Sequence, residues 1–99
     1  MKNSNLKETV ICAAIWFPEE KTPHHTVKNK NGLVLCGYRH GHIIGQYNAL
    51  GGTYTKVSSV QGFLTSHNRF LDRGEAHRLF VENGGVPEFS DELYSEDLY

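Results

Sequence analysis

The chain has 99 residues, of which 38% are hydrophobic and 11% aromatic, a composition typical of a small globular protein and not of a disordered one. Its length gives room for one hydrophobic core, so we expect a single domain over residues 8–87, followed by an acidic tail over residues 88–99. No stretch approaches the roughly 20 apolar residues of a membrane span or the apolar run of a signal peptide. The sequence therefore predicts a cytosolic protein with no membrane partner.

The net charge of −1 conceals an uneven distribution along the chain. Residues 1–87 hold all ten lysines and arginines with six acids, a net charge of +4, whereas residues 88–99 hold five acids and no base. A body with this charge is too weakly basic for general duplex binding, which uses a broad basic face. The sequence predicts no duplex nucleic acid as a partner and suits one small anion held by a few arginines.

The first half of the chain predicts two strands and a helix. Residues 1–7 are polar and expected to be frayed, whereas residues 9–17 form a continuous apolar run typical of a central strand buried on both faces. A turn signal at Asn31-Gly32 precedes residues 33–36, which we expect to pair antiparallel with that strand. A short helix is predicted over residues 40–49, ended by a pair of glycines.

The second half predicts a strand, a turn and a well-specified helix. Residues 56–65 carry spaced apolar side chains and are expected to form the third strand, with a turn at 66–68. Asp72 is a good N-cap, and Glu75 three residues later completes a capping-box pattern. Glycines at 84 and 85 end the helix.

Two arginines at the junction before this helix predict an anion site. Arg69 and Leu71 would face one side of an extended segment while Phe70 faces the other. Arg73 would fall in the first turn of the helix, where backbone N–H groups and the helix dipole favour an anion. The alternative is that Arg73 pairs with an acid such as Glu75 or Glu82, with Arg69 solvated.

Other polar and aromatic side chains are weaker candidates. Arg39 and His40 lie where a strand passes into a helix and could form a second anion-binding corner. Thr65 and Ser66 could donate to phosphate or ribose oxygens, or serve only as turn residues. Aromatic rings could stack a base or simply fill the core. These rings are Tyr47, Tyr54 and Phe70.

The cysteines and histidines give no pattern of a metal centre. Cys12 and Cys36 lie in apolar, strand-like surroundings with no close pair, so we expect two buried, reduced thiols. The His40-x-His42 pair and the adjacent His24-His25 match no common zinc spacing. The sequence predicts neither a metal nor a cofactor.

Catalysis is the weaker interpretation of the sequence. The serines and threonines occur without a Gly-x-Ser-x-Gly elbow, and no partner can be named for His40 or His67 as a general base. We therefore expect a binding protein and not an enzyme.

Three segments together resemble a known family of small phage proteins. They are Gly37-Tyr38-Arg39-His40 after a strand, residues 61–66, and residues 69–76. The most specific part, Gly-Phe-x-Thr-Ser-x-x-Arg-Phe-x-Asp-Arg-x-Glu-Ala, occupies residues 62–76. Over residues 8–86 the chain resembles the first-described Thoeris anti-defence family, whose members sequester the cyclic ADP-ribose signals made by bacterial TIR-domain enzymes.

The resemblance implies an α+β fold, a small antiparallel sheet with two helices, assembled into a homo-oligomer such as a dimer or a dimer-built hexamer. It implies a ligand pocket near the dimer interface, with Arg39, Arg69 and Arg73 on the phosphates and aromatic rings on the adenine. Some such sponges also accept cyclic oligonucleotides. The site of action would be the cytoplasm of an infected bacterium.

The sequence thus predicts a sponge that binds a cyclic nucleotide immune signal without cleaving it. Two alternatives stay open: an interaction or inhibitor protein acting through its acidic, tyrosine-rich tail, and a cyclic-nucleotide phosphodiesterase using His40 or His42. The residues predicted to bind the ligand are Arg39, His40, Tyr47, Thr65, Ser66, Arg69, Phe70 and Arg73.

Overall fold

The computed structural model describes residues 7–21, 27–89 and 91–99. It contains a four-stranded antiparallel sheet and two α-helices, which confirms the predicted α+β class. The expectations for residues 1–6 and for the pair at 24–25 lie outside the described residues. In chain order the elements are β1 (Val10–Phe17), β2 (Leu33–Gly37), α1 (His40–Ala49), β3 (Val60–Thr65), β4 (Phe70–Asp72) and α2 (Arg73–Glu82).

The sheet has the order β2-β1-β3-β4, so β1 lies between two partners, as predicted. Ala13 pairs with Gly37 on one side and with Phe63 on the other. Because β1 also has both faces covered at its centre, three successive residues, 13 to 15, are 0% exposed. A continuous apolar run is the pattern expected of such a strand.

Alternate residues of β1 enter different layers of the core. Ile15 packs with Ile43 of α1, whereas its neighbour Ala14 packs with Phe70 of β4 and with Val27 from the loop before β2. A third cluster joins the sheet to α2 and to the acidic tail. Its buried members are Phe63, Leu71, Ala76 and Leu93.

The predicted third strand is four residues too long. Its first part, Lys56–Ser58, forms a short 3-10 turn instead, and the strand begins at Val60. Val60 pairs with Trp16, one residue before the end of β1, so residues further upstream have no strand beside them. Val57 accordingly packs on nothing and is 96% exposed.

Both helices begin and end where the sequence predicts. At the start of α2, Asp72 Oδ1 accepts from the Glu75 backbone N–H at 2.8 Å, and Glu75 Oε1 accepts from the Asp72 N–H at 3.0 Å. These two bonds satisfy N–H groups that have no partner inside the helix. After α2, Gly84 adopts a φ of +91°, a left-handed conformation that glycine tolerates best.

Residues 91–99 of the acidic tail pack against the body of the protein. The Leu93 side chain is 0% exposed, and its N–H donates to the Arg73 carbonyl at 3.1 Å. The Asp97 carboxylate accepts from the N–H groups of Glu88 and Tyr94, each at 3.0 Å, and so folds the tail on itself. Among the helices of the described ranges, none has both the length and the apolar character needed to cross a membrane.

Gly62 lies where β3 meets β4, and its lack of a side chain is required there. A Cβ at this position would overlap the Leu71 carbonyl oxygen and lie 2.7 Å from Phe70 Cζ. We predict that Gly62→Ala lowers the free energy of unfolding by about 2–3 kcal/mol, because crowding a packed core strains it. Urea denaturation measures the change.

Gly45 provides the matched control. A Cβ there meets nothing within 4 Å, and the residue lies inside α1. Gly45→Ala should therefore raise the free energy of unfolding by about 0.5–1 kcal/mol through helix propensity alone. An unchanged urea midpoint for Gly62→Ala would show that β3 and β4 are not packed this closely.

Candidate anion-binding site

The residues predicted to bind a ligand occupy three separate places in the chain. Arg39 and Arg73 each contact the acidic tail, and His40 lies beside Arg73. Arg69, Thr65 and Ser66 lie instead with residues 8–9 at the turn between β3 and β4. The aromatic candidates, Tyr47 and Phe70, pack elsewhere on the sheet.

The Arg73 guanidinium is the centre of the first group. Nη1 donates to the Leu93 carbonyl at 2.9 Å, and Nη2 donates to Gln61 Oε1 at 2.5 Å. The guanidinium carbon lies 4.4 Å from the centroid of the Tyr94 ring, a cation–π arrangement. Arg73 thus joins the first turn of α2 to β3 and to the tail. The sequence left open that Arg73 pairs instead with an acid such as Glu75 or Glu82. The observed partners of Arg73 are Leu93, Gln61 and Tyr94.

His40 lies between Arg73 and the sheet. Its Nε2 donates to the Gly62 carbonyl at 2.8 Å, so Nδ1 is the unprotonated nitrogen, 3.5 Å from Arg73 Nη2. Burial lowers the pKa of His40, and the positive charge of Arg73 acts in the same direction. His40 is therefore a neutral, buried group whose two nitrogens both face protein.

Arg39 lies just before α1. Its Nη2 donates to the main-chain oxygen of Tyr99 at 2.9 Å, and its guanidinium carbon lies 4.7 Å and 5.1 Å from the ring centroids of Tyr38 and Tyr99. Its Nη1 is buried and has no hydrogen-bond partner among the described residues. A buried donor of this kind is energetically unfavourable until it finds an acceptor.

Arg39, His40 and Arg73, with Tyr38, form what we call the arginine surface. Tyr38 is 53% exposed and stacks at 6.2 Å on His42. Sequence reasoning did not include Tyr38 among the ligand-binding residues, although it precedes Arg39 in the segment that carries the resemblance. The signal in the sequence that could have identified Tyr38 is an aromatic residue directly beside a candidate phosphate-binding arginine.

The second group is an ion pair that ties residues 8–9 to the sheet. Arg69 Nε and Nη2 donate to the two oxygens of Glu8 at 2.8 Å and 2.9 Å, and the Thr65 hydroxyl donates to the same carboxylate at 2.6 Å. Ser66 Oγ accepts from the Thr9 N–H at 2.9 Å. The hydrogen bond from Arg69 holds the pKa of Glu8 at about 2. Arg69 is thus paired with Glu8, whereas the alternative interpretation of the sequence left Arg69 in solvent.

Arg69 and Arg73 do not line the same pocket. Arg69 lies in one of about 310 Å³ with Glu8 and Arg78, whereas Arg73 lies in one of about 580 Å³. The second pocket is also lined by three acids: Asp72, Asp91 and Glu92. Within one chain, the two guanidinium groups therefore do not form a single corner for one phosphate.

The three rings predicted to stack a base are packed in the protein. Tyr54 lies against the core cluster of Ile15 and Ile43, and its hydroxyl accepts from Gln61 Nε2 at 2.9 Å. Tyr47 stacks on Phe17 with 4.2 Å between ring centroids, and its hydroxyl donates to Glu20. Phe70 is 1% exposed and lies 6.1 Å from Trp16. The structure gives all three rings a packing role, and contact of any of them with a ligand stays a prediction.

The cysteines depart from the sequence prediction of two buried, separate thiols. Cys36 is exposed, and Cys12 is partly so. Cys36 pairs with Ala14, two residues from Cys12 on the same face of β1, so the thiols are diagonal neighbours within hydrogen-bonding reach. The hydrogen bond from Cys36 lowers the pKa of Cys12 to about 7. Spacing in the sequence could not reveal a pair made by strand register.

Among the residues that the structure describes, no cluster of three or more histidine, cysteine or acidic side chains could hold a metal ion. Guanidinium groups bind phosphate and carboxylate through paired N–H donors, and exposed tyrosine rings stack on planar groups.

In a comparison with known proteins, the chain matches the family model described as Phage T4 y16D protein over residues 9–99. The chain belongs to that family. It is therefore a phage protein, and the matched region includes β1 to β4, both helices and the tail. No curated protein and no solved structure matches it. Membership of the y16D family assigns no activity to the arginine surface.

The Glu8–Arg69 pair predicts how stability depends on acid. The pKa of Glu8 is about 2 in the folded protein and 4.5 ordinarily, so the stabilisation is complete above pH 4.5 and is lost as the pH falls towards 2. Glu8→Gln should lower the free energy of unfolding at pH 7 by about 1 kcal/mol, the upper range for exposed pairs, and flatten this acid dependence.

Urea denaturation at pH 2.5, 4 and 7 measures this effect. Glu82→Gln is the control, because Glu82 is an exposed acid lining the same pocket. Equal acid dependence in Glu8→Gln and the wild type would contradict the assignment.

The cysteine pair predicts an order of thiol reactivity. Cys36→Ala removes the hydrogen bond to the Cys12 thiolate, so the pKa of Cys12 should rise from about 7 towards its ordinary 9.0. The pH dependence of iodoacetamide alkylation, with the modified residue mapped by mass spectrometry, measures the shift. Cys36→Ser keeps a donor and should shift the midpoint less. An unmoved midpoint in Cys36→Ala would refute the pairing.

Proposed function

We propose that this phage protein is a non-enzymatic sponge that binds and sequesters a small anionic nucleotide signal, a cyclic ADP-ribose isomer or a cyclic oligonucleotide. The observation that carries the proposal is that one short tail contacts both Arg39 and Arg73, with His40 beside Arg73 and an exposed tyrosine beside Arg39. Membership of a phage protein family supports the anti-defence setting. The site of action would be the cytoplasm of the infected host.

The two arginines would bind the phosphates. A guanidinium presents paired N–H donors that match phosphate oxygens, and each charge-assisted bond contributes about 1.5–3 kcal/mol. Arg39 supports this role because its buried Nη1 still has a donor to place. His40 would position Arg73 through Nδ1 and would not contact the ligand, since both of its nitrogens already face protein.

Tyr38 would stack the base. Its ring is half exposed and lies against Arg39, so a nucleotide could place its phosphates on the guanidinium and its base on the ring. Base–aromatic stacking tolerates different bases, which fits a signal of either class. Slow release requires an enclosed ligand, and the predicted homo-oligomer would provide it by placing a second copy over this surface.

A hydrolase needs a poised general base. The histidine nearest the arginines donates its Nε2 proton to a carbonyl and has a lowered pKa because it is buried. That arrangement favours a structural role for His40 over proton transfer, which supports a binding protein over a phosphodiesterase.

The proposal is tested by incubating the protein with cyclic ADP-ribose isomers and with cyclic oligonucleotides, removing free ligand, and heating to release what is bound. Intact ligand is expected in the released fraction. Arg39→Gln and Arg73→Gln should each weaken binding by roughly 10- to 100-fold, because one charge-assisted bond is lost. Calorimetric titration gives the affinities, and thermal melting shows that each variant is folded.

Arg78→Gln is the matched control. It removes the same charge from an exposed arginine in the pocket of Arg69, away from the arginine surface. If Arg78→Gln and Arg39→Gln lose the same amount of ligand affinity, the loss reflects the overall charge of the protein and contradicts a specific site at Arg39. A cleaved product in the heated fraction would identify a hydrolase.

A second candidate is an interaction protein acting through the acidic tail. Phe89 is half exposed, and the acids Asp91, Glu92 and Glu96 are exposed on the docked tail. Deleting the tail would also remove the buried Leu93, so substitutions at Phe89 and Glu92 are the cleaner test. Loss of anti-defence activity in these variants with unchanged nucleotide binding would favour this candidate.

A further inference from the structure

We propose that the acidic tail is an internal competitor of the arginine surface, so that an anionic ligand must displace the contacts of Tyr94 and Tyr99 before it can engage Arg39 and Arg73. This inference rests on the proposed function and adds how that site is regulated. It explains why a basic body and an acidic tail occur in one short chain.

The tail contacts both arginines in the same two ways. Leu93 and Tyr99 offer main-chain oxygens, to Arg73 and to Arg39 respectively, each at 2.9 Å. Tyr94 and Tyr99 place rings at 4.4 Å and 5.1 Å from the same two guanidinium carbons. An oxygen acceptor and an aromatic ring are the groups that a nucleotide would bring, so the tail occupies the positions that the ligand needs.

The tail nevertheless satisfies the arginines incompletely. The acceptor that Leu93 offers to Arg73 is a neutral carbonyl oxygen, and hydrogen bonds to an ionised acceptor are about twice as strong. Arg39 Nη1 stays buried without a partner in the described part of the chain. A phosphate offers several charged oxygens to the same fork, so it can replace these contacts with better ones.

The tail can leave the arginines while its anchor stays in place. Leu93 is fixed in the core and Leu98 packs against the same cluster. Tyr99 is 41% exposed and contacts Arg39, the Tyr38 ring at 4.2 Å and the Ala13 main chain. The Tyr94 and Tyr99 rings and the Tyr99 main-chain oxygen can therefore move off the two arginines while Leu93 and Leu98 stay in the core. Their departure also exposes the Tyr38 ring.

The charge of the tail acts in the same direction. Asp91 and Glu92 line the pocket of Arg73, and Glu96 is near enough to His40 to affect its pKa. These carboxylates repel an approaching anion while the tail is docked. The apparent affinity for a ligand is then the intrinsic affinity multiplied by the fraction of molecules whose tail is released, so a docked tail weakens binding.

Inorganic pyrophosphate and ADP-ribose are the probes for the test. Tyr99→Ala removes one ring from Arg39 and leaves the proposed ligand contacts intact, so it should bind both probes roughly two- to fivefold more tightly than the wild type. Val86→Ala is the control, because it removes a 91% exposed apolar side chain that lies just before the tail, and it should match the wild type.

Amide hydrogen exchange gives the second readout. Saturating pyrophosphate should speed exchange in residues 94–99 of the wild type and leave α2 unchanged. Unaltered tail exchange together with equal affinity in Tyr99→Ala would overturn the inference, even where Arg39→Gln still weakens binding and the proposed function stands. If neither probe and no cyclic nucleotide binds either protein, both proposals fall.

Discussion

The architecture depends on how one partly buried charge, the Arg73 guanidinium, is satisfied. Its donors reach the Gln61 side chain and the Leu93 carbonyl, while its own main-chain oxygen accepts from the Leu93 N–H. A partly buried guanidinium is costly unless its donors are paired, so β3, α2 and the tail are held in register around it. The same requirement places His40 beside Arg73 and so fixes where α1 begins.

The elements of the fold follow closely from sequence patterns because those patterns are local. The apolar run of β1, the capping box at Asp72 and the left-handed Gly84 each predict one feature, and each is found. The error at residues 56–59 has a non-local cause. Whether a segment becomes a strand depends on a partner strand beside it, and β1 ends too early to provide one.

The candidate site was harder to predict for the same reason. Arg69 and Arg73 are four residues apart, a spacing that would bring them together on a helix. Here Asp72 ends an extended segment and begins the helix, so strand geometry governs one arginine and helix geometry the other. The residues that decide what each arginine contacts, Glu8 and Leu93, are distant in sequence. The sequence could therefore predict which residue types favour an anion, but not which groups each arginine contacts.

An arginine engaged by its own chain can still belong to a binding site, and the kind of partner distinguishes the two cases. Arg69 is held by an ionised carboxylate through two bonds, an arrangement that a phosphate can equal but not greatly improve. Arg73 is held by two neutral oxygens, from Leu93 and Gln61, and one Arg39 nitrogen is left without an acceptor in the described residues. An anion therefore gains more by replacing the partners of Arg39 and Arg73 than by replacing Glu8. Of the three predicted phosphate-binding arginines, this difference favours the pair beneath the tail.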